Sequence, residues 1–214
     1  ANGVGKIQTN GLLSGKMKYK VELLENKKLA DPFILEIHYA KRKPSISFAY
    51  GLYDIDELIG VCTFGSPASP SLCKGIAGEH NKSKVIELNR LVLKYNRKNE
   101  ASYLVGQSLK LLPKPKIVVS YADTAQDHIG IVYQATNFYF TGTSKARTDM
   151  AGKDGKHSRH HLGDRTKRVF RSAKHRYVYI NANKTDKKQL LKELNYPIME
   201  YPKWTITKSL TYSL

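Results

Sequence analysis

Val85-Ile86-Glu87-Leu88-Asn89-Arg90-Leu91-Val92-Leu93 reads as a strand, and the stretch after it, Asn99 to Leu112, reads as a helix. Along that helix Ala101, Leu104, Val105, Ser108, Leu109 and Leu112 fall at i, i+3, i+4, i+7, i+8 and i+11 on one face. Pro113 and Pro115 end it. Lys116-Ile117-Val118-Val119-Ser120-Tyr121 then makes a short, nearly continuous apolar strand, the pattern of a strand covered on both faces.

Working outward, Met17 to Leu24 alternates as a strand. Asp31 and Pro32 resemble a helix cap with proline in the first turn, so Phe33 to Tyr39 is expected to be a helix ending before Pro44. Ser45–Tyr53 and Glu57–Gly65 form a hairpin around Asp54-Ile55-Asp56. Ser66 to Lys84, with Pro67, Pro70, Gly75 and Gly78, reads as a long loop. A helix over His128–Ala135, strands at Phe138–Phe140 and Tyr177–Ile180, a helix over Lys187–Leu194 and an extended Tyr196–Pro202 complete the chain. The order predicts an α/β (α+β) domain with one mixed sheet. Residues 1–16 form a loose lead-in, 17–143 the main domain, and 144–214 a basic extension packed on it.

Composition narrows the function. The 214 residues carry 36 Lys and Arg against 18 Asp and Glu, a formal charge of +18. Hydrophobic residues make up 41%, enough for a core. Two cysteines exclude a disulfide scaffold or a cysteine-rich zinc module. No apolar run is long enough for a membrane span, and Ala1 to Lys6 has no signal core, so a reducing cytoplasm is expected. The excess of base points to a polyanionic partner, most simply nucleic acid. It is concentrated between Lys145 and Arg176, where eleven Lys and Arg face three Asp for a net +8, with four His. Lys145, Arg147, Lys156, Arg159, Arg165, Lys167, Arg168, Arg171, Lys174 and Arg176 are the expected nucleic-acid contacts. The alternative is a solvated basic loop.

A strand leading into a helix N-terminus is a ready phosphate site. Arg97 and Lys98 add charge there, and Ala101 and Ser102 are small enough for close approach; an ordinary crossover with a basic loop reads the same way. No glycine-rich phosphate loop is present. Asp123 ends a buried strand, where such folds place ligand-facing groups, yet Asp is also a preferred helix cap. Arg90, in an apolar strand, needs a partner: Asp123, Glu87 or a ligand phosphate. If the strand is regular, Asn89 points to the opposite face from Arg90. His38 and Tyr39 close a hydrophobic run, and His38 is a core residue, a base or a metal ligand; no metal motif is assigned. Gln134 and Asn137 are suited to an adenine edge, and Asn137 equally to a left-handed cap.

Ile131-Val132-Tyr133 with Ala135-Thr136-Asn137-Phe138 resembles the helix-to-strand segment of the GCN5-related N-acetyltransferase superfamily. Glu100 departs from that pattern, standing where glycine is typical. A narrower resemblance runs over residues 35 to 140. His38-Tyr39, Gly60-Val61 with Phe64-Gly65, Glu87-Leu88-Asn89-Arg90, Tyr121-Ala122-Asp123 and Gly130 to Phe138 occur in the order of the Mom family of bacteriophage DNA-modification proteins. That resemblance implies an acetyltransferase-like fold using acetyl-CoA to modify the exocyclic amine of adenine in duplex DNA. The group added is acyl or carbamoylmethyl, and it protects phage DNA from host restriction. It implies catalytic roles for Asp123, Tyr133, His38, Tyr39 and Arg90, with Tyr133 as acid toward the CoA thiolate. It implies an acetyl-CoA site at Leu91, Val92, Arg97, Lys98, Asn99, Ala101, Ser102 and Asn137. Two other functions fit the residues: acyl transfer to another amine, on RNA, protein or a hypermodified base, and DNA binding on a non-catalytic acetyltransferase fold.

Overall fold

The computed structural model describes residues 19–150 and 168–203. The expected lead-in over 1–16 and the cations Lys156, Arg159, Arg165 and Lys167 lie outside the described residues. The strands are β1 (Tyr19–Leu23), β2 (Phe48–Asp54), β3 (Glu57–Gly65), β4 (Val85–Leu93), β5 (Lys116–Asp123), β6 (Tyr139–Thr143), β7 (Arg147–Met150), β8 (Arg168–Arg171) and β9 (Lys174–Asn181). The α-helices are α1 (Pro70–Asn81), α2 (Glu100–Leu111), α3 (Ile131–Ala135) and α4 (Lys184–Lys192).

Seven strands form one mixed sheet in the order β1-β2-β3-β4-β5-β9-β6. Every pairing is antiparallel except β4 with β5. The helix α2 supplies the long crossover that a parallel pair requires. Its face, Leu104, Val105 and Leu109, packs with Leu52, Phe64, Leu88, Val118 and Tyr177 on one side of the sheet. On the other side Cys73 and Ile76 of α1 and Leu190 of α4 pack with Ile117, Val119, Val178 and Ile180. β5 is thus covered on both faces, as its apolar run predicts. A third cluster joins Ala30, Phe33 and Ile34 to Ala49, Val61 and Val92. β9, from the C-terminal part of the chain, sits inside the sheet between β5 and β6.

Three elements differ from the sequence reading. Pro70–Asn81 is a helix, not a loop. Ser69 caps it, Pro70 stands in the first turn, and Cys73, Ile76 and Ala77 are its buried stripe. Its glycines dilute that stripe, and Gly78 breaks the helical geometry at φ 75° and ψ 176°. The helix expected over Phe33–Tyr39 is a single π-helical turn, Phe33–Ile37, and His38 is extended. Between Lys145 and Arg176, β7 and β8 pair as a two-stranded ribbon outside the main sheet.

Gly130 precedes α3 at φ 77°, in the left-handed region that glycine tolerates. A Cβ there would lie 2.4 Å from the Tyr177 ring, a wholly buried side chain. Gly130→Ala is therefore expected to cost about 1–3 kcal/mol, from overpacking and backbone strain together. Chemical denaturation of the variant against the parent checks this.

Candidate functional site

The site is set by where two strands part. β4 and β5 pair over only three positions, Val85–Ile117, Ile86–Val118 and Glu87–Val119. Asn89 is then bulged out of the β3–β4 ladder, whose register passes from Phe64–Leu88 to Thr63–Arg90. A bulge bends and twists its strand. At the parting the Ser120 hydroxyl bridges the gap, donating to the Leu88 carbonyl at 2.9 Å. Beyond it, Arg90 to Leu93 pair only with β3. The β4–β5 ladder is interrupted there.

The bulge overturns the expectation that Asn89 and Arg90 face apart. Asn89 Nδ2 donates to the Ser45 carbonyl at 2.8 Å, and Arg90 Nη2 to the Arg42 carbonyl at 2.7 Å. Both side chains reach the segment that follows Tyr39. Arg90 also donates from Nη1 to the Asn89 carbonyl, while its Nε is buried with no hydrogen-bond partner. Burial and the neighbouring Arg42 lower the Arg90 pKa, though a guanidinium stays charged. His38 lies beside it. Burial first, then the Arg90 charge, push the imidazole pKa down to about 4, so the ring is neutral at pH 7. Its Nδ1 accepts the Ala40 N–H at 3.1 Å, which places the ring proton on Nε2. The ring stacks on Tyr39 at 4.4 Å, and Tyr39 is 60% exposed.

Glu87 is the acid that sequence reasoning left out of the site. It is the one carboxylate in Val85–Leu93, which is the signal available in the sequence. Burial raises its pKa to about 7, against the opposing pull of Arg90 and Lys174. Asp123 is differently placed. Its carboxylate takes the Lys174 ammonium at 2.9 Å, the Ser172 hydroxyl and the Ala125 N–H at 3.0 Å. It caps the 3₁₀ turn Thr124–Gln126, and these bonds outweigh its desolvation and lower its pKa. Of the partners considered for Arg90, Asp123 is therefore taken by Lys174.

On the α2 side, Tyr133 packs between Phe138 and Tyr177 at 5.4 and 5.3 Å. Burial lifts its pKa to about 12, a shift that Ser120 opposes and Cys62, Tyr39 and Glu87 reinforce. Tyr133 thus feels Glu87 and Tyr39 electrostatically from the α2 side of the sheet. A cleft of about 380 Å³ runs alongside, lined by Asn99, Ser102, Tyr103 and Gly106 of the α2 end and Thr136 and Asn137 after α3. Asn99 caps α2 in the left-handed conformation with no side-chain hydrogen bond. Asn137 is likewise left-handed, at φ 62°. Leu91 lies against the α2-side core, whereas Val92 belongs to the cluster on the opposite face. Lys98 is exposed beside α2.

Arg97 points elsewhere. Its guanidinium pairs with Asp54 at 3.0 Å and with Glu100 at 3.1 Å, and it stacks on Tyr95. Glu100, wholly buried, also accepts the Arg97 N–H and the Tyr19 hydroxyl. The acid standing at the glycine place therefore ties down the first turn of α2.

The described cations also divide. Lys145, Arg147, Arg168 and Arg171 are exposed on or next to the ribbon. Lys174 is held by Asp123, and Arg176 bonds Thr141 through Nε and Nη2 while lying 3.3 Å from the Tyr196 ring centroid. Among the described residues no group of three or more His, Cys, Asp and Glu is placed to hold a metal ion. No described helix is long and apolar enough to cross a membrane.

Residues 19–203 match the family model of the Mom protein family. The curated relative Methylcarbamoylase mom of Escherichia phage Mu is 28% identical over 162 residues, covering 73% of this chain. The match spans 65% of that relative's own length. Among solved structures, Arabidopsis thaliana NAA60 in complex with acetyl-CoA superposes with a TM-score of 0.50 at 13% identity, over 76% of this chain and 98% of that one. An N-acetyltransferase from Staphylococcus aureus gives 0.46 at 15% identity, over 77% and 99%. The fold is that of the acetyltransferases, with a mixed sheet flanked by helices.

The raised Glu87 pKa has a thermodynamic signature. Between its ordinary 4.5 and about 7 the folded state binds a proton that the unfolded state has lost. Its contribution is full below the lower value and declines as pH rises through the upper one. Glu87→Gln is expected to flatten the fall in melting temperature between about pH 5 and pH 8, and to melt above the parent at the alkaline end. Thermal melts of both proteins across that range test it.

Proposed function

The chain belongs to the Mom protein family, and from that membership we propose that it is an acetyl-CoA-dependent enzyme modifying the exocyclic amine of adenine in phage DNA. The parting of β4 from β5 carries the reading, because it lets two faces of the sheet serve one reaction. The side bearing Glu87, Arg90, His38 and Tyr39 takes the base. The side bearing the α2 cleft takes acetyl-CoA. A phage protein of this kind works in the cytoplasm of its host, protecting the modified DNA from restriction.

The residues present fit acetyl-CoA. Asn99, Ser102 and Asn137 line the cleft, and the α2 N-terminus offers backbone donors suited to a pyrophosphate. Lys98 adds charge there; Arg97 is engaged with Asp54 and Glu100. When bound, acetyl-CoA supplies an activated thioester carbonyl. Glu87, titrating near neutrality, is suited to accept the proton that leaves the amine. Tyr133, protonated at pH 7 on the α2 side, is suited to donate one to the departing thiolate. His38 presents an N–H, and the buried Arg90 Nε an unmatched donor, to hold the base. Asp123, kept ionised by Lys174, holds the end of β5 in place. These groups account for N-acyl transfer: the amine nitrogen joins the acyl carbon and gives up a proton to Glu87, the carbon–sulfur bond breaks, and the departing thiolate takes a proton from Tyr133. A carbamoylmethyl product needs a bond to the methyl carbon and an added nitrogen, which these groups do not provide.

The engagement of Arg97 and Glu100 with each other favours a second reading, a DNA-binding protein on a non-catalytic acetyltransferase fold. One experiment separates the two. Purified protein is incubated with unmodified duplex DNA and acetyl-CoA, and the digested nucleosides are analysed by mass spectrometry. A heavier deoxyadenosine is expected, its mass separating acetyl from carbamoylmethyl. Tyr133→Phe is expected to lower its yield roughly 100-fold, and Asp123→Asn to lower it as well. Unchanged nucleosides with no acetyl-CoA binding would establish the non-catalytic reading.

A further inference from the structure

Among the described residues, β7 and β8 pair with each other and with no strand of the main sheet. All four β8 residues are exposed, and Phe170 is 70% exposed in the middle of them. Phe170 belongs to none of the core clusters formed by the described residues. Its surroundings are cationic: Lys145, Arg147, Arg168 and Arg171 are exposed, with Asp149 as the one acid between Lys145 and Met150 or within β8. The register sorts them. Arg147 pairs across with Arg171, and Asp149 between them takes Arg147 at 3.1 Å and Arg171 at 3.6 Å. Phe170 stands opposite Thr148, and by strand alternation Arg168 shares its face.

The root of the ribbon is fixed beside the site. Ser144 and Lys174 exchange hydrogen bonds, Ser144 N–H to the Lys174 carbonyl at 2.9 Å and Lys174 N–H to Ser144 Oγ at 3.0 Å. Thr124 donates to the Ala173 carbonyl from both its N–H and its hydroxyl. Ser172 and the Lys174 ammonium both bind Asp123. The Lys174 charge in turn opposes the burial that raises the Glu87 pKa. Phe170 stands four residues from Lys174, so it lies within about 14 Å of that root.

Resting on the reading of DNA as substrate, we propose that this ribbon is an arm that enters a groove of the duplex and drives Phe170 into the base stack beside the target. A two-stranded ribbon fits a DNA groove, and exposed arginines suit the phosphates along it. Apolar wedges inserted between base steps unstack and kink a duplex. An amine inside a base pair is reached only when its base leaves the stack. Phe170 supplies the displacement, Arg168 on the same face supplies the grip, Arg147 and Arg171 add positive charge on the other face beside Asp149, and Asp123 is a positioning residue that aims the arm.

Permanganate oxidation of unstacked thymines in bound duplex DNA reads the displacement without any catalytic turnover. The parent protein is expected to make discrete thymines reactive, as happens opposite an extruded adenine. Phe170→Ala, compared at equal occupancy in a gel shift, is expected to lose that reactivity about tenfold, with affinity within about threefold of the parent. Phe170→Leu, still an apolar wedge, is expected to keep it. Arg168→Gln is expected to weaken binding and reduce the salt slope by about 0.9. Full reactivity with Phe170→Ala overturns the proposal and leaves the proposed function standing, whereas a parent that binds duplex without unstacking it overturns the proposal and counts against duplex adenine as the substrate. A parent that leaves duplex DNA unbound overturns both.

Discussion

Two parallel strands that share three rungs and then separate are the feature on which this site depends. A sheet is normally sealed by its ladder, and reagents on opposite faces cannot meet through it. Here Asn89 is bulged and its amide is spent on Ser45 and Thr63, so β4 turns from β5. The Ser120 hydroxyl replaces one lost rung. Buried backbone groups are costly unless satisfied. The gap is therefore open only where ligand or side chains can meet β4.

The electrostatics follow from the same opening. Glu87 is the last β4 residue paired with β5, and its burial raises its pKa towards neutrality. His38 is pushed the other way by burial and by Arg90, and stays neutral. Tyr133 is held protonated from the other side. Three groups whose ordinary pKa values span most of the titration range thus enter neutral solution as a poised carboxyl, a neutral ring and a neutral phenol. Asp123, at the far end of β5, is held ionised by a lysine and two neutral donors.

Much of this was legible in the sequence. The period of α2 and the apolar run of β5 placed the crossover, and the strand Val85–Leu93 was read to its ends. What escaped the sequence is what depends on tertiary context. The helix α1 carries too few apolar residues between its glycines to show a stripe until the sheet beneath it is known. The bulge at Asn89 has no composition signal, and without it the face of Arg90 is misjudged. Arg97 and Lys174 read as ligand-binding cations because charge is visible in sequence, whereas their partners, Asp54 forty-three residues away and Asp123 fifty-one away, are not. Glu87 was visible as a lone acid, but its burial was not.

The ribbon leaves the sheet between β6 and β9, neighbours that already bond to each other, and Ser144 and Lys174 clasp its base. It is thus an extended hairpin whose closure is settled at the clasp. Doubling the length of a loop closed in this way costs only about 0.6 kcal/mol in chain entropy. A longer or shorter connection beyond the clasp is accordingly expected to leave the register of the sheet and the spacing of the reactive groups unchanged.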